Sequence, residues 1–250
     1  MKQKLGQNFL IDKKVAKQEV KYANITHDDI VLEIGPGHGI LTKLLAERAK
    51  KVVAIEIDKN LFSNLKNSLP DNVELFNGDA LKLDFEILPK FNKIVSNLPF
   101  QISSPITFKF FDYNFDLAIL IYQKEFANRM TASPGSKDYS RLSVGVYYKT
   151  KCEPLETIPK SCFKPKPKVD SCMIRLIPRK SPPFFVINEK FFFDLTKNLF
   201  NHRRKKIKTI LNKSYTVPLK DVPYLDLRVE NLTPEQIGEL SNILFKIQHS

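Results

Sequence analysis

Four positions carry residue types suited to ligand chemistry: Gly35, Glu56, Asp79 and Asn97. Glycines at 35, 37 and 39 in LEIGPGHGI (32–40) let the backbone approach a ligand closely. The pattern is GxGxG, and Ile40 breaks the full GxGxxG dinucleotide fingerprint. Alone, it reads equally as a glycine-rich turn. Glu56 ends KVVAIE, 21 residues after Gly35, where a carboxylate can accept from both hydroxyls of a ribose. Asp79 lies in NGDA (77–80), and Asn97 opens Asn97-Leu98-Pro99-Phe100. A turn uses the asparagine and the proline but has no need of the aromatic ring.

The chemistry follows from what these groups accept. A nicotinamide dinucleotide would set its pyrophosphate at the helix after the glycines, and the acidic Glu33 just before them disfavours a polyanion. An adenosine bearing a cation suits the set better. S-adenosylmethionine has a ribose for Glu56, an adenine for Asp79, a sulfonium and an ammonium, and no phosphate. The target implied at Asn97 is a planar amine conjugated to a ring. The Asn97 side-chain oxygen and the Leu98 carbonyl could accept from it and favour a pyramidal nitrogen. Pro99 stiffens the turn, and Phe100 offers a stacking surface. Such catalysis is mostly positioning with electrostatic help and needs no strong base. A base inside a duplex would have to be flipped out or already unpaired.

These residues need a scaffold, and apolar patterning supplies one. A helix is predicted over 12–23, capped by Asp12. Strands are predicted at 30–34, 51–57, 73–76, 93–96 and 115–122, and helices at 40–49, 59–69, 104–111 and 123–132. The alternation predicts an α/β fold with a parallel sheet covered on both faces. Each of the four positions then falls at the carboxyl end of a successive strand, on one crevice. LSVGVYYKT (142–150) and DSCMIRLIP (170–178) are predicted as strands of an antiparallel hairpin at the sheet edge. PRKSPP (178–183) reads as a linker. Helices are predicted beyond it at 189–200, 203–214 and 233–247, the last with Thr233 as N-cap, Pro234 in its first turn and Gln236 closing a capping box. Two domains are expected, an α/β domain over 1–180 and a small helical one over 181–250.

Composition sets the class of partner. Forty basic against 27 acidic residues leave a net charge of +13 over 250 residues. The charge is clustered in KSCFKPKPK (160–168) and HRRKKIK (202–208), basic runs near aromatics that suit nucleic acid better than membrane. No apolar run is long enough to span a bilayer, and the basic N-terminus lacks the apolar region of a secretory signal, so a cytoplasmic protein is expected. Cys152, Cys162 and Cys172 are read as reduced thiols, the histidines are scattered, and no metal site is expected.

At these residues the sequence resembles the S-adenosylmethionine-dependent ribosomal RNA adenine dimethyltransferases of the KsgA type. The likeness runs through LGQNFLID (5–12), EIGPGHGILT (33–42), IEID (55–58), NGDAL (77–81), NLPFQISSPI (97–106), QKEFANRM (123–130), YSRLSV (139–144), FKPKPKVDS (163–171), NHRRKKIKTIL (201–211) and NLTPEQ (231–236). It implies a Rossmann-like methyltransferase fold, a mostly parallel seven-stranded sheet with an antiparallel edge hairpin, plus a small all-α C-terminal domain. It implies dimethylation of two adjacent adenines in a small-subunit rRNA hairpin during ribosome biogenesis, on an immature subunit, by a monomer. Asn8 and Leu10 match the family's cofactor arm and join Gly35, Gly37, Glu56, Asp79 and Asn97 as cofactor residues. Phe163 matches a second aromatic that would sandwich the target base with Phe100. Many relatives carry tyrosine where this chain has Phe100, so stacking survives but a hydroxyl role does not. Lys164, Lys166, Lys168, Arg203, Arg204, Lys205 and Lys206 are the expected RNA contacts. Two alternatives stay open: an Erm-type large-subunit methyltransferase, and a non-enzymatic RNA-binding assembly factor.

Overall fold

The computed structural model describes residues 7–214 and 219–249. The chain falls into two compact units. One runs to Ala127 and resumes over Lys151–Pro178; the other comprises Asn128–Thr150 and Arg179 onward. Division by chain order at 180/181 would leave residues 128–150 in the first domain, whereas packing groups them with the second.

The first unit holds β1 (Phe9–Leu10), α1 (Lys13–Ala23), β2 (Ile30–Ile34), α2 (Ile40–Ala46), β3 (Lys51–Glu56), α3 (Lys59–Lys66), β4 (Val73–Asn77), β5 (Lys93–Asn97), α4 (Ser103–Phe110) and β6 (Leu117–Gln123). The chain continues through α5 (Lys124–Met130) and α6 (Arg141–Lys149) to β7 (Thr150–Ile158), β8 (Phe163–Lys164) and β9 (Ser171–Pro178). Among the described residues the main sheet has the order β4-β3-β2-β5-β6-β9-β7. β2 pairs in parallel with both β3 and β5, β4 continues outward from β3, and β6 lies beyond β5 in the same direction. β9 runs antiparallel to β6. The central strands are buried on both faces, as their near-continuous apolar runs require. Ala16 and Val20 of α1 and Leu41 and Leu45 of α2 pack with Val31, Val52, Val95 and Ile119 of the sheet in one core.

Local signals act as their chemistry predicts. Asp12 accepts from the Lys14 N–H at 2.8 Å to cap α1, and Asp58 accepts from Asn60 and Leu61 to cap α3. The strand predicted at 142–150 is a correction: those residues form the helix α6. Leu142, Val144, Val146 and Tyr148 are all buried. A helix buried nearly all round shows no polar face, so β-branched and aromatic content imitates a strand. Its start is marked by the Ser140 N–H donating to Ser143 Oγ at 3.0 Å. The strand next to β9 at the sheet edge is therefore β7, over 150–158, and not 142–150.

The second unit adds α7 (Glu189–Phe200), α8 (Ile207–Ser214) and α9 (Pro234–Gln248). Their core joins Phe192, Leu195 and Leu199 to Ile210, Leu211, Ile237, Leu240 and Leu244, with Tyr139, Val144 and Tyr148 from the α6 region. The capping box forms, with Gln236 N–H donating to Thr233 Oγ1 and Thr233 N–H to Gln236 Oε1. The helix predicted from 203 begins only at Ile207. Residues 203–206 pair their backbone elsewhere: Glu230 and Val229 donate to the carbonyls of Arg203 and Lys205.

At the amino ends of β2 and β5, Asp29 is almost sealed from solvent and pairs with Lys93 at 2.8 Å. Asn92 and Thr26 also donate to it. Burial alone would raise the Asp29 carboxyl, but the bonds from Lys93, Asn92 and Thr26 outweigh it and hold it at about 2. Removing one partner of a buried pair leaves an uncompensated charge. Lys93→Met should therefore lower stability by about 3–5 kcal/mol in urea denaturation at neutral pH. In the native protein this stabilisation is present above about pH 4, the ordinary carboxylate range, and is lost as pH falls toward 2.

Candidate active site

The order of strands reverses between β2 and β5, which puts the loops leaving these two strands side by side. Gly35 follows β2, Glu56 ends β3, Asp79 lies two residues past β4, and Asn97 ends β5. The parallel registers set Ile34 against Ile55 and Glu56 against Asn77, so all four fall on one rim. They border a cleft of about 980 Å³, counting its mouth open to solvent. Asn8, Leu10, Gly37 and Pro99 also line it.

The glycine loop is shaped by its neighbours as well as by backbone angles. Gly35 and Gly37 have φ of +71° and +60°, in the region L side chains avoid. A Cβ on Gly37 would stand 2.9 Å from the Phe9 ring, and one on Gly35 would stand 3.3 Å from Pro99. Phe9 in turn packs on His38 with ring centroids 4.4 Å apart. Glu56 Oε2 accepts from the Gly37 N–H at 3.2 Å and Oε1 from the Asp58 N–H at 2.9 Å, so the carboxylate fixes the glycine loop that faces it. Burial raises the Glu56 carboxyl, and these two N–H bonds oppose that shift. Asp79 accepts from the Leu81 N–H, which orders its loop.

Asn97 is held between the sheet and the N-terminal arm. Ser96 beside it is fully buried and donates to the Ile34 carbonyl at 2.7 Å, tying β5 to β2 at the rim. The Asn97 amide nitrogen reaches the Asn8 carbonyl at 3.5 Å, while its Oδ1 is buried without a hydrogen-bond partner. A buried acceptor left open in this way is costly unless a ligand donor meets it. The arm is anchored in turn: β1 pairs antiparallel with β8, and Asn8 Nδ2 donates to the Pro165 carbonyl at 2.7 Å.

Not every expected site residue lies on the cleft wall. Leu98 is buried in the core and offers only its backbone. Phe100 lies beside Phe163 with centroids 6.4 Å apart and planes at 64°, an edge-to-face pair and not two parallel walls. Phe163 is itself buried. Lys164, Lys166 and Lys168 are exposed on the segment that follows. In the second unit Arg203 is already committed, donating to the carbonyls of Lys137 and Ser136 and pairing with Glu230 at 3.0 Å. Lys206 forms a largely exposed pair with Asp226, whereas Arg204 and Lys205 are exposed. Sequence reasoning missed Phe9, His38 and Ser96. Phe9 stood between two matched arm residues, but only the fold shows it closing over Gly37.

Electrostatics narrows the ligand. Among the described residues Glu33, Glu56 and Asp79 line the cleft, and neither lysine nor arginine does. Within a chain of net charge +13 this is an acidic pocket, favourable to a cation and unfavourable to a pyrophosphate. The open acceptor at Glu33 Oε2 and the close-approach glycines fit an adenosine bearing a sulfonium and an ammonium.

The family profile described as ribosomal RNA adenine dimethylase matches residues 1–246. The chain belongs to that family. The dimethylase is 45% identical over 254 residues to a probable ribosomal RNA small subunit methyltransferase A of Methanosarcina acetivorans, covering 97% of this chain and 93% of that one. It is 47% identical over 254 residues to the protein of the same name in Thermococcus onnurineus, covering 96% and 91%. Its fold matches the crystal structure of a dimethyladenosine transferase from Plasmodium falciparum with a TM-score of 0.78 at 32% identity, over 93% and 95% of the two chains. It matches the 23S rRNA methyltransferase ErmE with a TM-score of 0.71 at 30% identity, over 95% and 100%. The dimethylase is an enzyme with the Rossmann-like methyltransferase fold, acts on ribosomal RNA, and uses S-adenosylmethionine as methyl donor. Among the described residues no helix is long and apolar enough to cross a membrane, and no group of three metal-ligating side chains is present.

Gly37→Ala would meet both the backbone strain of a positive φ, about 1–2 kcal/mol, and the Phe9 ring. S-adenosylmethionine affinity measured by calorimetry should fall about tenfold or more.

Proposed function

We propose that this dimethylase transfers two methyl groups to the exocyclic nitrogen of each of two adjacent adenines in a small-subunit rRNA hairpin, acting as a cytoplasmic monomer on an immature subunit. The observation that carries the catalytic reading is the buried, unpartnered Oδ1 of Asn97 at the rim shared with Gly35 and Glu56. The small-subunit substrate is supported by the names of the relatives at 45–47% identity. ErmE, whose name specifies 23S rRNA, is 30% identical, and this favours the small-subunit reading over the Erm-type one.

Glu56 would accept from the ribose hydroxyls, Asp79 from the adenine, and the loop from Gly35 to Gly37 would take the amino-acid end. Asn8 and Leu10 close the cleft from the arm side. When bound, S-adenosylmethionine supplies an electrophilic sulfonium methyl. Asn97 Oδ1 and the Leu98 carbonyl accept from the target amino group and turn its lone pair out of the ring. Pro99, in contact range of Gly35, fixes the spacing between the two loops. Phe100 gives the adenine a face, while Phe163 meets it edge-on as a wall of the same corner. The exchangeable amine proton leaves to water after transfer, so no side chain need act as a strong base.

RNA contacts are assigned to the exposed Lys164, Lys166 and Lys168 beside the catalytic corner and to Arg204, Lys205 and Lys206 in the second unit. Arg203 belongs to the same run, but its two terminal guanidinium nitrogens are engaged within the unit, and its role there is architectural.

Two experiments test the proposal. Asn97→Ala should cut methyl incorporation into unmodified small subunits by about 10²–10³-fold, with near-native S-adenosylmethionine affinity. Full activity in that variant would remove Asn97 from the mechanism, and mass spectrometry of the rRNA would locate the methylated adenines. Replacing Arg204 and Lys205 by serine should weaken rRNA binding and flatten its salt dependence by about 0.7–0.9 log units for each phosphate that is no longer neutralised. Arg203→Ser should instead lower the melting temperature.

A further inference from the structure

A carboxamide has two ends of nearly the same shape and opposite chemistry: the oxygen accepts and the nitrogen donates. For Asn97 the difference decides what the catalytic turn offers. With Oδ1 toward a target amine, the N–H groups of that amine find an acceptor. With Nδ2 there, donor would meet donor, and the only favourable contact left would occupy the lone pair that attacks the methyl group. A half turn of the amide exchanges the two ends. The strand β5 fixes the main chain of Asn97 by pairing it with Ile121, but a strand does not fix that rotation.

The main-chain carbonyl of Asn8 distinguishes the ends. It lies 3.5 Å from Asn97 Nδ2, and Asn97 Oδ1 is left buried without a partner. A carbonyl only accepts, so it draws the nitrogen end and repels the oxygen end. At this length the contact is weak, and it orients the amide only while the carbonyl keeps its place. The arm that carries it has little structure of its own. β1 is two residues long and pairs with β8 through Phe9 against Lys164 and Leu10 against Phe163. After β1, the Ile11 N–H donates to the Cys162 carbonyl at 2.9 Å. Leu10 is buried in the same core as Phe163, whereas Asn8 is only half-buried. Before β1 the tie is the Asn8 side chain, whose Nδ2 donates to the Pro165 carbonyl at 2.7 Å. The side-chain clamp and the carbonyl that meets Asn97 thus belong to one residue.

We infer that Asn8 is a positioning residue for methyl transfer: its side chain clamps the arm to the Pro165 carbonyl, so that its own carbonyl holds the nitrogen end of Asn97 and leaves the acceptor end for the target amine. The inference rests on Asn97 being the group that receives that amine. Asn8 acts through Asn97 and has no need to touch the target. This is separate from its place on the cleft wall, which concerns the methyl donor. The clamp closes on the segment that begins at Phe163, the ring that meets Phe100 edge-on. The orientation of the amide and the position of the aromatic corner are therefore set from one stretch of chain.

The test is a double-mutant cycle on the full chain, read as single-turnover methyl transfer to unmodified small subunits. S-adenosylmethionine is kept saturating for each variant, so that a change in donor affinity does not enter the rate. Asn8→Ala should slow transfer about tenfold, the worth of one hydrogen bond. In Asn97→Ala there is no amide left to orient, so adding Asn8→Ala should slow transfer no further. Asn8→Asp has the same shape without the donor and should reproduce the loss. A readout apart from activity is the side-chain NH2 resonance of Asn97, assigned by its absence in Asn97→Ala. It should shift and exchange faster with solvent in Asn8→Asp, and an unchanged signal would count against the clamp. A native rate in the Asn8 variants would overturn the inference. So would a double variant about tenfold slower than Asn97→Ala, because additive losses mean that Asn8 does not act through the amide. A native rate in Asn97→Ala itself would remove the catalytic reading of Asn97, whatever Asn8 does.

Discussion

Parallel pairing of β2 with both β3 and β5 is the constraint from which the site follows. Because β2 has a neighbour on each side in the same direction, the loops leaving β2 and β5 emerge together. The buried Ser96 hydroxyl ties the two strands at that end by donating to the Ile34 carbonyl. Gly35 then lies close to Pro99: an added Cβ would stand 3.3 Å from the proline ring. A Cβ at that point would crowd the loop after β2 against the turn after β5. The spacing of the two loops at the rim is thus set by packing at a strand junction.

Charge is distributed unevenly over the first unit. The chain carries a surplus of +13, and the exposed lysines of 164–168 place part of it beside Phe100 and Phe163. The cleft itself is lined by carboxylates. Surfaces of opposite sign thus lie within one unit. The arm joins these surfaces: β1 lines the cleft through Leu10 and pairs with β8, which begins at Phe163. The arm also meets Asn97 through the Asn8 carbonyl. The cleft wall, Asn97 and the Phe100–Phe163 corner are thereby tied to a common element.

Basic runs divide by what their neighbours leave free. Lys164, Lys166 and Lys168 alternate with prolines, and all three stay exposed. In HRRKKIK the chain turns before α8, and backbone pairing with 228–230 draws Arg203 inward onto two carbonyls and Glu230. Guanidinium geometry suits that role, since its fork can serve several acceptors at once. A cluster of like charge in sequence is thus functionally mixed in space.

The sequence by itself determined the alternation of strand and helix, the helix caps at Asp12 and Thr233, and the four positions at successive strand ends. These depend on local periodicity and on residues that act within a few positions of themselves. It also made the acidic Glu33 legible as an obstacle to phosphate. Only the tertiary structure decided that 142–149 is helical, because burial on nearly every side erases the polar face by which a helix is read. It alone showed that Phe163 meets Phe100 edge-on, that Arg203 is already engaged, and that Phe9 closes over Gly37. Each of these depends on groups far apart in the chain, whose distance is fixed by packing and leaves no periodic trace. Glu19 is the clearest case: its place in an amphipathic helix suggests nothing unusual, yet the fold buries it fully with neither oxygen hydrogen-bonded.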